Sequence, residues 1–308
     1  MSVRRYVSTG RDGRSRTAAG EVAWEAPGPS GPGRPIRPGG QILELRSADG
    51  LLDDLGERIF VAEVVGEAAR EDDGEGATPV LRVASARLMA ETPWGDALAA
   101  RFALECAAHA VGDQGSVALP HGRTLDGVLA DAREALERSA PPEGALGFLA
   151  RVATVRRLHR HGAAVSDLAM LAAKEDGQAG IDLLEDPAWT RLAAISEAVL
   201  ASVEALRYLA WPEYVGRREE AVERDAAERD TGAPVASEVQ VEETPWGWVA
   251  IGADRVPTHV PAAACAEQAA ERARQAVAEA SGDEAARAER AWQAGLLESL
   301  LAPPAPAA

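Results

Sequence analysis

The chain has 308 residues, a formal net charge of -17, 46% hydrophobic and 26% charged residues, and a mean hydropathy of -0.16. That length suits one large domain or two ordinary ones, and the composition excludes wholesale disorder and a fibrous class. A negative balance of this size opposes loose binding to nucleic acid or an anionic membrane surface, because such affinity comes from Lys and Arg displacing counterions. Neither is expected as a partner.

Residues 1 to 26 read as an N-terminal hairpin or arm. Asp12-Gly13 favours the positive φ angles of a tight turn, so Tyr6-Val7 is expected to pair with Val22-Ala23-Trp24. The segment 27 to 40 holds five prolines and five glycines, which remove backbone donors and side-chain restraint, and it reads as a linker. Residues 41 to 308 read as a single α+β domain, predominantly helical, with a small mostly antiparallel sheet covered by a helical block.

Within that domain Ile42-Leu43-Glu44-Leu45 predicts a strand, Leu51 to Leu55 a short helix, and the β-branched run Ile59 to Val65 a second strand. The acidic run Glu71 to Gly76 predicts a solvated loop, Val80 to Met89 a further strand and Asp96 to Val111 a helix. Thr124 caps a helix from Leu125 to Arg138, the first element of a helical insertion over residues 122 to 231. Asp186-Pro187 starts a helix that runs to about Leu209 and carries Trp189, Leu192, Val199, Val203 and Leu206 on a nearly heptad stripe. A strand region follows from Val235 to Ala253. The tail from Ala262 to Leu301 predicts two helices divided at Ser281-Gly282-Asp283, the second burying Ala288, Trp292, Leu296 and Leu300.

One feature rises above background. Glu91-Thr92-Pro93-Trp94-Gly95 recurs as Glu243-Thr244-Pro245-Trp246-Gly247, each copy preceded by Ala-Ser at the same offset. Proline presets φ at the second position of a turn and glycine tolerates the fourth. The second copy reads as a hairpin and the first passes from strand into helix, with segments 78 to 90 and 237 to 252 expected in one sheet. The tryptophans serve either as core residues at tight strand exits or, with Glu91 and Glu243, as two halves of a binding surface in which Trp94 and Trp246 are aromatic anchors.

Motifs for familiar chemistry are missing from the sequence. Lys174 is the only lysine, which removes a phosphate-cradling Gly-Lys-Ser/Thr loop and leaves one exposed candidate for Schiff-base chemistry. The dinucleotide fingerprint, His-Glu-x-x-His and the Gly-x-Ser-x-Gly elbow do not occur. Cys106 and Cys265 lack metal-type spacing and predict two buried thiols, so no cofactor and no metal are expected. Arg156-Arg157-Leu158-His159-Arg160-His161 predicts cations complementing a helix C-terminus; the alternative is an anion or metal site built on His159, His161 and Asp167. The start Met1 to Val7 lacks a signal-peptide core and no long apolar run follows, so a cytoplasmic location is expected.

The functional expectation is a scaffold or protein-binding subunit that associates with itself or a partner through the stripe on helix 187 to 209 or through the terminal helix. The alternative is a small-molecule, hydrolase-like enzyme whose site lies between sheet and helical block and uses His109, His121, His159 or His161 with acidic partners.

Overall fold

A computed structural model of the chain describes residues 4–17, 20–29, 31–37, 42–66, 68–72, 80–119, 122–137, 157, 161, 164–165, 187–210, 240–244, 247–251 and 261–303. Strands are β1 (Arg5–Thr9), β2 (Arg14–Thr17), β3 (Gly20–Ala23), β4 (Leu43–Arg46), β5 (Arg58–Val64), β6 (Ala68–Asp72), β7 (Val80–Val83), β8 (Ala86–Glu91), β9 (Gln240–Thr244) and β10 (Gly247–Ile251). Helices are α1 (Ala48–Leu51), α2 (Asp96–Val111), α3 (Leu125–Glu137), α4 (Pro187–Ala210) and α5 (Ala262–Leu301). The fold is α+β, with an antiparallel sheet under a helical block. None of these helices is long and apolar enough to cross a membrane.

Six strands form the main sheet in the order β6-β7-β4-β1-β5-β8, with every pairing antiparallel. Alternation gives it two apolar faces. Tyr6 and Ile59 point to the helices, whereas Val7, Leu43, Leu45, Phe60 and Leu88 point the other way, under Val22 and Trp24 of a separate β2–β3 ribbon. The turn at Asp12-Gly13 forms, with Gly13 at φ 76°. It does not pair Tyr6-Val7 with Val22-Ala23-Trp24, however: Val7 lies opposite Phe60, so the expected N-terminal arm supplies a central strand. Burying Tyr6 and Val7 on opposite faces of that strand removes more apolar surface from water than a free hairpin would.

The proline-rich segment also has a structural task. Gly33 N–H donates to the Leu88 carbonyl at 2.9 Å and Ile36 N–H to that of Ala86 at 2.9 Å, so this stretch lies along the outer edge of β8. An edge strand presents unpaired backbone groups, and this segment satisfies part of that row. Among the described residues β9 and β10 pair with each other, Thr244 opposite Gly247, and not with β7 or β8. Among the described residues, the shared layer expected for segments 78 to 90 and 237 to 252 is not formed.

Helices α2, α4 and α5 pack mutually, with α3 against α2. Their contact faces are rich in buried alanine: Ala99, Ala103 and Ala107 on α2, Ala194, Ala198 and Ala205 on α4, Ala266, Ala269 and Ala273 on α5. Alanine is the strongest helix former and lets helix axes approach closely. Of the predicted stripe on α4, Val199, Val203 and Leu206 are buried inside this bundle and Leu192 is partly buried against it, while the Trp189 side chain lies outside the described residues. The predicted division of the terminal helix is a kink at Gly282, whose φ of 82° belongs to the left-handed region.

Trp94 ties the sheet to the bundle. Its indole N–H donates to the Gly56 carbonyl at 2.9 Å, its ring meets Phe102 of α2 edge-on at 6.2 Å, and it is buried. Trp94→Ala should therefore cost about 3–5 kcal/mol, the range for emptying a large aromatic site. A denaturant midpoint matching the wild type would contradict this anchoring role.

Candidate functional site

The first copy of the repeated word is a strand exit. Thr92 donates through Oγ1 to the Ile59 carbonyl at 2.8 Å. Glu91 takes a bidentate pair from Arg58 Nε and Nη2, both at 2.7 Å, and that hydrogen bonding holds its carboxyl below the usual carboxylate range. With Trp94 buried and its N–H satisfied, Glu91 and Trp94 do not present the open binding surface expected of them. In the second copy Glu243 lies opposite Trp248 in the β9–β10 hairpin, as the turn chemistry predicts. Trp246 lies outside the described residues.

The described histidines form separate pairs. His161 is buried and its Nε2 lies 2.8 Å from Asp131 Oδ2 of α3, so its acidic partner among the described residues is Asp131. Desolvation outweighs the pull of Asp131 and lowers the imidazole pKa, which leaves a neutral ring donating through Nε2–H. His159 and Asp167, like His121, lie outside the described residues. No group of three His, Cys, Asp or Glu side chains suited to a metal occurs among the described residues.

His109 shows the more instructive arrangement. Its Nδ1 is 2.5 Å from Glu289 Oε2, and its ring stacks on Trp292 with centroids 4.1 Å apart and planes 15° from parallel. The Glu289 side chain is 2% exposed and that of His109 49%. Behind Glu289 the polar chain continues inward. Gln293 Nε2 donates to Glu289 Oε1 and to the Ala270 carbonyl, both at 3.0 Å, and Gln293 Oε1 accepts from Arg274 at 2.8 Å. Arg274 then reaches Asp53, which Arg290 also grips while bonding Asp49 at 2.7 Å.

This network sets the rotation of α5. The sequence stripe Ala288, Trp292, Leu296 and Leu300 is not the buried face. Glu289, Gln293, Leu297 and Leu301 are buried, one residue further on, and Trp292 is left 37% exposed. The inward polar groups are tolerated because each has partners. The apolar pattern of the sequence does not single out Glu289 or Gln293, because the partner that makes Glu289 buriable, His109, lies 180 positions away along the chain.

Chemically, a buried carboxylate fixes Nδ1 of a half-exposed imidazole, an arrangement suited to moving a proton or accepting a hydrogen bond through the second ring nitrogen. The two thiols behave differently. Burial, followed by the Glu289 charge, raises the Cys106 pKa far beyond its ordinary range, and burial pushes Cys265 up to about 12; neither is in a disulfide, and both are buried and held as thiols. Comparison with known proteins returned no matching family model, no matching curated protein and no matching solved structure.

The neutral state of His161 has a pH consequence. The unfolded chain takes up a proton near 6.5 and the folded chain only at a lower pH, so the stability contributed by the neutral ring is complete above that value and is lost as pH falls through it. The stability advantage of the wild type over His161→Gln, from denaturant titrations at pH 7.5 and 5.5, should shrink on acidification; an advantage that grows would contradict the assignment.

Proposed function

We propose that this chain is a scaffold subunit that self-associates through the outer face of the second half of α5, with Trp292 as its anchor. The observation that carries this reading is the inverted pattern of that helix: Glu289 and Gln293 are buried while Trp292 is exposed. Trp292 is stacked against His109, so its side chain is already ordered and loses little freedom on binding. Ala288, one turn before it, is exposed and small, so a second helix can approach closely. Aromatic anchors in such a setting carry most of the binding energy of an interface. The described part of the stripe on α4, the other expected surface, is consumed within the bundle.

A second reading, a small-molecule enzyme acting through His109, is supported by the exposed imidazole and its buried Glu289 carboxylate. Self-association is preferred because the exposed indole of Trp292 is the larger apolar feature of the same surface.

Two copies each bearing -17 repel, so association should strengthen as salt is raised, the reverse of an interface held by ion pairs. Sedimentation velocity over a concentration series should show a reversible dimer for the wild type. Trp292→Ala should weaken it at least tenfold at unchanged melting temperature. A wild type that stays monomeric at every concentration, or a variant that dimerises equally well, would overturn the proposal.

A further inference from the structure

We infer that the groove between β1, α1 and the second half of α5 binds a small organic oxyanion, a phosphate or carboxylate carried on a short apolar body, gripped by Arg4 and Arg287. The groove has a volume of about 480 Å³, within the range of small-molecule sites. Arg4 enters it from the start of β1, Arg287 and Arg290 from α5, and Asp49 from α1. Arg290 is committed to Asp49 and Asp53 and serves as wall. Arg4 and Arg287 have no ion-pair partner among the described residues, although acids outnumber bases in the chain by 49 to 32 and most described arginines are paired. With Asp49 taken up by Arg290, Arg4 and Arg287 face the single acid Glu298, an excess of positive charge in one concavity that points to an anion supplied from outside.

Tyr6 gives an independent sign. Its side chain lines the groove, the residue is 1% exposed, and its hydroxyl has no acceptor among the described residues. A buried donor left without an acceptor is unfavourable, and phenylalanine would fill the same space without that penalty. Burial, followed by the Glu298 charge, raises the Tyr6 hydroxyl above its ordinary pKa against the weaker pull of Arg4, so the O–H stays a donor in need of an acceptor. A ligand oxygen beside Arg4 would supply the missing acceptor. Ala48, Ala291 and Ala294 give the groove an apolar side for the rest of the molecule. Glu298 faces the same space and sets a limit on charge, which favours a single oxyanion over a polyphosphate.

The test is calorimetric titration of the full chain with inorganic phosphate and, separately, with acetate, at constant ionic strength set with chloride. Saturable binding of either ion is expected, at least tenfold weaker in Arg4→Gln and Arg287→Gln and unchanged in Arg101→Gln, an exposed arginine of α2 away from the groove. Tyr6→Phe should also weaken binding, with its melting temperature in anion-free buffer showing that the fold is kept. Preference for phosphate would identify a phosphorylated ligand and preference for acetate a carboxylate. No saturable heat with either ion, or binding that the two arginine variants leave unaltered, would overturn the site.

Discussion

The rotation of the terminal helix rests on one buried hydrogen-bonded chain, from His109 through Glu289 and Gln293 to Arg274. A carboxylate at 2% exposure is tolerable only with partners on both oxygens, and here one oxygen faces His109 and the other accepts from Gln293. Turning α5 by one residue would strand that network in solvent and withdraw Leu297 and Leu301 from the core, each contributing roughly 1.5–3 kcal/mol by burial. The polar chain and the leucines therefore agree on a single phase. The exposed indole and the arginine-lined groove both follow from it, because they occupy the remaining sides of the same helix.

The sheet is subject to a parallel constraint at its border. Backbone groups along β8 need partners, and the proline-rich stretch supplies some of them through Gly33 and Ile36. A segment whose composition removes donors can still offer the few amides that an edge requires. The second copy of the repeated word closes on itself as a hairpin. Identical five-residue words thus lead to different neighbourhoods because the surrounding chain, and not the word, determines what is left to pair with.

Local chemistry made much of the architecture legible. The α2 bounds follow from a Pro-Gly break before Asp96 and Gly112 after Val111, β5 follows from its β-branched run, and Asp186-Pro187 marks the start of α4. Legibility failed where the deciding partner is distant or the local contrast weak. In α5 alanine dominates, so the stripes containing Trp292 and Leu297 differ little in apolar content, and only His109, 180 positions away, decides between them. The central position of β1 was hidden for the same reason: Tyr6 and Val7 look alike in a peripheral hairpin and in a sheet. His161 finds its acidic partner, Asp131, on α3, 30 residues earlier in the chain, which no spacing rule could have indicated.

The two thiols give the molecule an internal reporter. Cys106 and Cys265 lie at the faces where α2 and α5 meet the rest of the bundle, and both stay protonated far into the alkaline range. A thiol in that state is inert to alkylating reagents, so modification has to wait for the helices to separate. The rate at which the intact chain takes up such a label thus measures how often its bundle breathes open, and the two sites read out separate regions of one interior.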